Sequence, residues 1–245
     1  MAQPAWPTRL VLVRHAESVG NLARDVAEAN GEALIDIATR DMDVPLSPQG
    51  ERQAAELGEW LAQATRPAVV YSSPYVRAAE TARIASAALE STGSVVLDER
   101  LREREFGVLD RLTRVGIEAR FPDEAAARGR VGKFYYRPPG GESWCDVALR
   151  VRSFLDTAGR EHAGEEVVVV AHEVVVYLFR YVLERLTEAE VLGLGRATDL
   201  ANCAVTEYEL GQDEQGSDVL ELVAFNRVPG AVPVTVEPDV PRAPR

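Results

Sequence analysis

The sequence predicts an α/β fold, a single-domain three-layer sandwich with a mostly parallel central sheet flanked by helices. Two observations lead there. The runs Leu10–Val13 and Val167–Ala171 are rich in valine and leucine and show no helical period, as expected of strands covered on both faces. Between them further strand-like runs alternate with amphipathic stretches, and parallel neighbours need such helical crossovers.

Leu10–Val13 is the first strand. A helix over Pro48–Ala64 follows, because Ser47 can cap its free N–H groups, Pro48 fits the first helical position, and Ala54, Leu57, Trp60 and Leu61 mark one face. Pro67–Tyr71 reads as another strand and Tyr75–Leu89 as another helix. A longer helix is expected from Glu142 to about His162, with Val147, Val151, Phe154, Leu155 and Ala158 inward. After Val167–Ala171, the runs Ala204–Leu210 and Val219–Phe225 form a closing pair across the polar stretch Gly211–Asp218. The domain therefore spans 1–227, and the proline-rich 228–245 is expected to be a flexible tail.

The 245 residues carry a formal net charge of −12, which argues against wholesale binding to nucleic acid or an anionic membrane. Any anion must be held by a local cluster. The apolar runs are far shorter than the roughly 20 residues of a membrane span. Met1–Arg9 lacks the apolar segment of a secretory signal, so a cytoplasmic location is expected. Cys145 and Cys203 fit no metal spacing and are expected as buried, reduced core residues. Trp60 and Trp144 need no role beyond core or pocket wall.

Of the three histidines, His15 and His172 directly follow strand runs, in LVLVRHAESVGN and VVVVAHEVVVY. Ligands of open α/β sheets bind beyond the carboxyl ends of the strands, so both should face one crevice. Arg14 precedes His15, and Arg77 follows the Pro67–Tyr71 strand in YSSPYVRAAETA. Two imidazoles and two guanidiniums converging at one edge suit a dianionic phosphate. His162 ends a helix and is expected at the surface.

LVLVRHAESVGN is similar to the opening signature of the histidine phosphatase superfamily, the phosphoglycerate-mutase-like family. DMDVPLSPQGERQAAELG, YSSPYVRAAETA, LREREFG, PPGGES and VVVVAHE resemble its later blocks, in order, covering Leu10 to about Phe225. The resemblance implies that His15 attacks phosphorus and becomes a phosphohistidine. Arg14, Arg77 and His172 would surround the transferring group, with Asn21 as a further phosphate contact and Ser18 a weaker candidate beside it. Glu103 matches the carboxyl that protonates the leaving oxygen, which requires a raised pKa; Glu105 is the alternative. Glu17 would orient its neighbours. The resemblance implies neither a metal nor a cofactor, and a small phosphorylated molecule as partner; self-association stays open.

The chain departs from the family pattern by carrying Ala16 and Glu173 where glycine is usual after each histidine. Ala16 still permits close approach if φ stays negative; Glu173 would open a helix, where its carboxylate suits the N-terminus, and would disfavour anionic substrates. The segment Leu22–Met42 is longer and more acidic than a minimal member needs and is expected to form a helix over the site. A mutase usually has asparagine where this chain has Val174, and the arginine-rich stretch between Gly107 and Pro139 lacks the mutase pattern. A phosphatase is therefore expected ahead of a phosphoglycerate mutase, and both ahead of a silent phospho-ligand binding module.

Overall fold

The computed structural model describes residues 5–89, 95–197 and 199–230. Six strands form one sheet: β1 (Arg9–Arg14), β2 (Val69–Ser72), β3 (Val96–Leu97), β4 (Glu166–Ala171), β5 (Val205–Gln212) and β6 (Asp218–Arg227), in the order β3-β2-β4-β1-β5-β6. β3, β2, β4 and β1 pair in parallel, while β5 runs antiparallel to both β1 and β6. The expected sandwich, mostly parallel sheet and closing pair are all present.

Alternation along β1 explains the layers. Leu10 and Leu12 face one core with Val167, Val169, Trp144, Phe154 and Phe179, whereas Val11 and Val13 face another with Val168, Val170, Leu57 and Ala82. The first core is roofed by α6 (Trp144–Glu161) and α7 (Glu173–Leu183), the second by α2 (Pro48–Ala64) and α3 (Val76–Ser86). Central strands buried on both sides carry no polar face, hence their valine-rich runs.

Helix ends follow their caps. Ser47 Oγ accepts from Gly50 N–H at 2.9 Å and Pro48 fills the first turn, so α2 has the expected limits. α3 stops at Ser86, short of the expected Leu89, and α6 begins at Trp144 because Ser143 forms a capping box with Asp146. The helix expected within Leu22–Met42 is α1, Val19–Ala29, shifted toward the N-terminus by a Ser18–Asn21 capping box and ended before Gly31 at φ +65°. From 31 to 40 the chain is irregular, and Asp41–Asp43 forms a 3-10 turn.

Four elements lay outside the expectation: β3, α4 (Arg114–Arg120), α5 (Pro122–Val131) and α8 (Glu188–Ala197). Helix α5 buries none of its residues, so it has no apolar stripe to read. Cys203 is buried, but Cys145 is only partly covered at the edge of the first core, against the expectation for it; both are free thiols. His162 is half-buried rather than exposed, because it caps α6 and meets Tyr71 Oη at 2.9 Å and Glu165 at 2.8 Å. The 228–245 tail lies, from 231 onward, outside the described residues.

The start of α2 sits against the backbone just after His15. Ser47 N–H donates to Glu17 O at 3.0 Å, its Oγ donates to Glu17 Oε1 at 2.5 Å, and Glu17 N–H donates to Gln53. A Cβ on Gly50 would lie 2.0 Å from Glu17 O. Gly50→Ala must therefore separate the two segments, at a cost of about 1–3 kcal/mol. In a thermal melt the midpoint should fall by roughly 3–10 °C, and an unchanged midpoint would show that the contact is not tight.

Candidate active site

The parallel register sets the site. Arg14 pairs with Ala171 and Ser72 with Val170, so the next residues, His15, His172 and Ser73, leave the sheet at one edge. The two imidazole rings stand 5.1 Å apart, edge to face.

His15 is 4% exposed. Its Nδ1 lies 2.7 Å from Ala16 O, an atom that only accepts, so Nδ1 carries the proton and Nε2 the lone pair. His172 Nε2 lies 2.8 Å from Ser73 Oγ, which itself accepts from Tyr75 N–H. With one lone pair and its proton still available, Ser73 Oγ can pair with either tautomer of His172. Nδ1 is buried without a protein partner among the described residues and lies 3.9 Å from Glu103 Oε2. Burial, then Arg77 and Arg14, pushes the His15 pKa well below 6.5; burial, then Arg77 and His15, does the same to His172. Both rings are neutral.

Arg14 donates to Leu200 O and lies 4.0 Å from Glu173, while its Nε is buried without a protein partner among the described residues. Arg77 is held by Asp41 through three hydrogen bonds of 2.6 to 3.2 Å. Asn21 Oδ1 accepts from Ser18 N–H at 3.0 Å, from Ser18 Oγ–H at 2.9 Å and from Asn202 at 3.4 Å. These donors fix the amide's orientation, so its NH₂ is not used in the cap. Ser18 lines the same pocket but its hydroxyl proton is spent on Asn21, so it orients that residue and offers no free donor.

Glu103 has a side chain 15% exposed and accepts from Arg104 N–H at 2.8 Å. Burial raises its pKa above 4.5, with Asp41 adding in the same direction against Arg77 and Arg150. The alternative, Glu105, is exposed and accepts from Tyr75 Oη–H at 2.6 Å. Ala16 is fully buried without a positive φ, so the missing glycine costs nothing. Glu173 opens α7 at its N-terminus, where a carboxylate is favoured, and lines the pocket with Val174.

Above this floor is a cavity of about 270 Å³. Its apolar wall includes Ile35, Ile37, Val44, Phe106, Leu109 and Leu112, and its rim carries Arg24, Glu28, Asp41, Asp110, Arg111 and Arg114. The expected cover is real but only part helix. Residues 31–40 are stitched to the loop before α4: Ile35 N–H donates to Arg111 O at 2.9 Å, Thr113 N–H to Ala33 O at 3.2 Å and Arg111 Nη1 to Ile37 O at 2.9 Å. Ser73, Tyr75 and Asp41 sit within quoted motifs yet were not singled out, because their contacts are tertiary. Asn202 lies in no motif, and it donates to His15 O at 2.9 Å. Among the described residues no group of three or more His, Cys, Asp or Glu side chains converges as a metal site, and no helix is long and apolar enough to cross a membrane.

The sequence profile of the histidine phosphatase superfamily (branch 1) matches residues 10–222. A 2,3-bisphosphoglycerate-dependent phosphoglycerate mutase 2 of Gloeobacter violaceus is 32% identical over 214 residues, covering 86% of this chain and 90% of its own. A phosphoglycerate mutase-like protein of Arabidopsis thaliana is 29% identical over 84% of this chain and 75% of its own. Among solved structures, a mycobacterial glucosyl-3-phosphoglycerate phosphatase in complex with inorganic phosphate superposes with a TM-score of 0.69 at 25% identity, covering 92% of this chain and 100% of that one.

The neutral imidazoles tie stability to pH. Above about pH 6.5 His15 and His172 are uncharged in both folded and unfolded chains and contribute nothing. Below it the unfolded chain binds protons that the native site refuses, so stability falls with pH by up to about 1.4 kcal/mol per unit per ring. Glu103 acts oppositely, since its raised pKa lets the native state hold a proton the unfolded chain has lost. In urea titrations from about pH 7.5 to about pH 5.5, His172→Gln should flatten the acid-side loss by one ring's share. An unaltered slope would mean that His172 is already charged in the native state.

Proposed function

The chain belongs to the histidine phosphatase superfamily, branch 1, and from that premise we propose that it hydrolyses a phosphomonoester through a phosphohistidine on His15. The observation that carries this reading is the His15 Nε2 lone pair on the floor of a pocket that also holds Arg14, Arg77 and a carboxyl of raised pKa.

In the first step Nε2 attacks phosphorus as the P–O ester bond breaks, and Glu103 gives its proton to the departing oxygen. The alcohol leaves. Arg14, Arg77, the Asn21 amide and the His172 ring stabilise charge on the equatorial oxygens, a preorganised set in a site where burial strengthens each contact. In the second step water attacks the phosphohistidine, Glu103 takes its proton, and the P–N bond breaks to release phosphate. Because guanidiniums supply the positive charge, no step calls for a metal.

A phosphoglycerate mutase is the second reading, favoured by the similarity to the mutase of Gloeobacter violaceus. It would pass the phosphoryl group from His15 to a second substrate oxygen instead of water. Val174 stands where mutases usually have asparagine, and in the pocket lining Glu28, Asp41, Asp110 and Glu173 offset Arg24, Arg111 and Arg114, so there is no purely basic wall for a second anionic group. These features support hydrolysis.

His15→Ala should abolish release of nitrophenol from p-nitrophenyl phosphate while the protein still melts cooperatively, and Arg77→Ala should cost about 10²-fold in rate. Near-normal turnover in His15→Ala would refute the covalent route. Activity should persist in EDTA; loss on chelation and recovery with added metal would contradict an arginine-based site. Glu103→Gln should slow alkyl phosphates far more than p-nitrophenyl phosphate wherever transfer to His15 limits the rate, because an alkoxide needs the proton and a nitrophenolate does not. If 3-phosphoglycerate with a bisphosphate primer is isomerised faster than any ester is hydrolysed, the mutase reading replaces this one.

A further inference from the structure

We propose that Asp41 is a positioning residue that holds the Arg77 guanidinium end-on and so turns its free edge toward the phosphoryl group on His15. The proposal rests on the reading of His15 as the phosphoryl acceptor.

A guanidinium has five N–H donors in one plane. Asp41 takes three of them: Nη1 donates to its main-chain oxygen at 2.6 Å and to Oδ1 at 3.0 Å, and Nη2 donates to Oδ2 at 3.2 Å. What remains is Nε–H and one hydrogen of Nη2, which lie side by side along one edge. That edge is a two-point fork, the geometry that suits two oxygens of a phosphate.

The plane is fixed as well as the end. The Arg77 guanidinium lies over the Tyr75 ring at 5.1 Å, and that ring meets His172 edge to face at 5.3 Å and donates its hydroxyl to Glu105. Arg77 is 7% exposed and Asp41 38%, so the carboxylate reaches in from the rim to a buried cation. Asp41 opens the 3-10 turn that follows 31–40, the strip stitched to Arg111 and Thr113. The added segment thus reaches the chemistry through one ion pair.

Holding a donor matters most where charge develops, so the effect should appear in kcat and in vanadate binding rather than in ground-state affinity. With p-nitrophenyl phosphate, Asp41→Ala should lower kcat about tenfold with KM changed less than about twofold. Asp41→Asn, which keeps the main-chain contact and one side-chain acceptor, should lose less. In an Arg77→Ala background Asp41→Ala should cost less than about twofold more, because Asp41 reaches the phosphoryl group through Arg77 and its other effect, on the Glu103 carboxyl, matters little to a nitrophenolate that leaves without a proton. Melting midpoints within a degree or so of the parent proteins verify the fold.

Unchanged or faster turnover in Asp41→Ala overturns the proposal, the latter making Asp41 a competitor of phosphate. A loss confined to KM, or losses that multiply in the double variant, also overturns it. Calorimetric titration with vanadate separates this from the functional reading. A wild type that binds vanadate but hydrolyses nothing sinks the phosphatase reading alone, and Asp41 is then judged by whether Asp41→Ala weakens vanadate about tenfold, with no further loss in the Arg77→Ala background.

Discussion

The parallel pairing of β1 with β4, and of β4 with β2, is the constraint on which the site depends. Parallel strands end together, so three segments distant in sequence deliver His15, Ser73 and His172 to one edge without any loop having to reach. The pairing is possible only because helices cover both faces, and that covering is what the valine-rich strands encode. Displacing β4 against β1 by one residue would move His172 along the edge by more than 3 Å and turn its side chain to the other face.

The same burial sets the protonation states. An imidazole on a wet edge would be partly charged near neutral pH, and a charged ring has no lone pair for phosphorus. Here desolvation and two neighbouring guanidiniums act in the same direction on His15 and His172, while desolvation acts on Glu103 in the sense that keeps its proton. One environment thus favours the neutral form of the imidazoles and of the carboxyl alike. The positive charge that remains belongs to arginine, which does not give up its proton under these conditions.

Much of this was legible in the sequence because it rests on local patterns. The central strands, α2 and the histidines after β1 and β4 follow from strand runs, capping residues and ordered motifs, and each lies where that reading put it. What was not legible depends on contacts between distant segments. Helix α5 has no buried stripe, β3 is two residues long, and α1 begins at Val19 because of a Ser18–Asn21 box hidden inside the first motif. Ser18 read as a phosphate contact by proximity alone, and only the network showed its proton going to Asn21. Half-burial of His162 depends on Tyr71, 91 positions away.

The floor and the walls of the pocket answer to different demands. Floor residues are constrained by the sheet edge and by the charge of a phosphate, so they match a family pattern spread over the chain. The walls answer only to the rest of the substrate: a strip at 31–40 paired with the loop at 110–113, an apolar side from Ile35 to Leu112, and a rim of mixed charge. A wall built this way is specific to its occupant but costs nothing in the floor, provided the two remain coupled at few points. Asp41 on Arg77 is such a point, where the turn after the strip meets the arginine proposed to face phosphate. On the proposed reading, change in the strip is therefore free to alter which ester enters, while change at Asp41 would be felt by the transferring phosphoryl group.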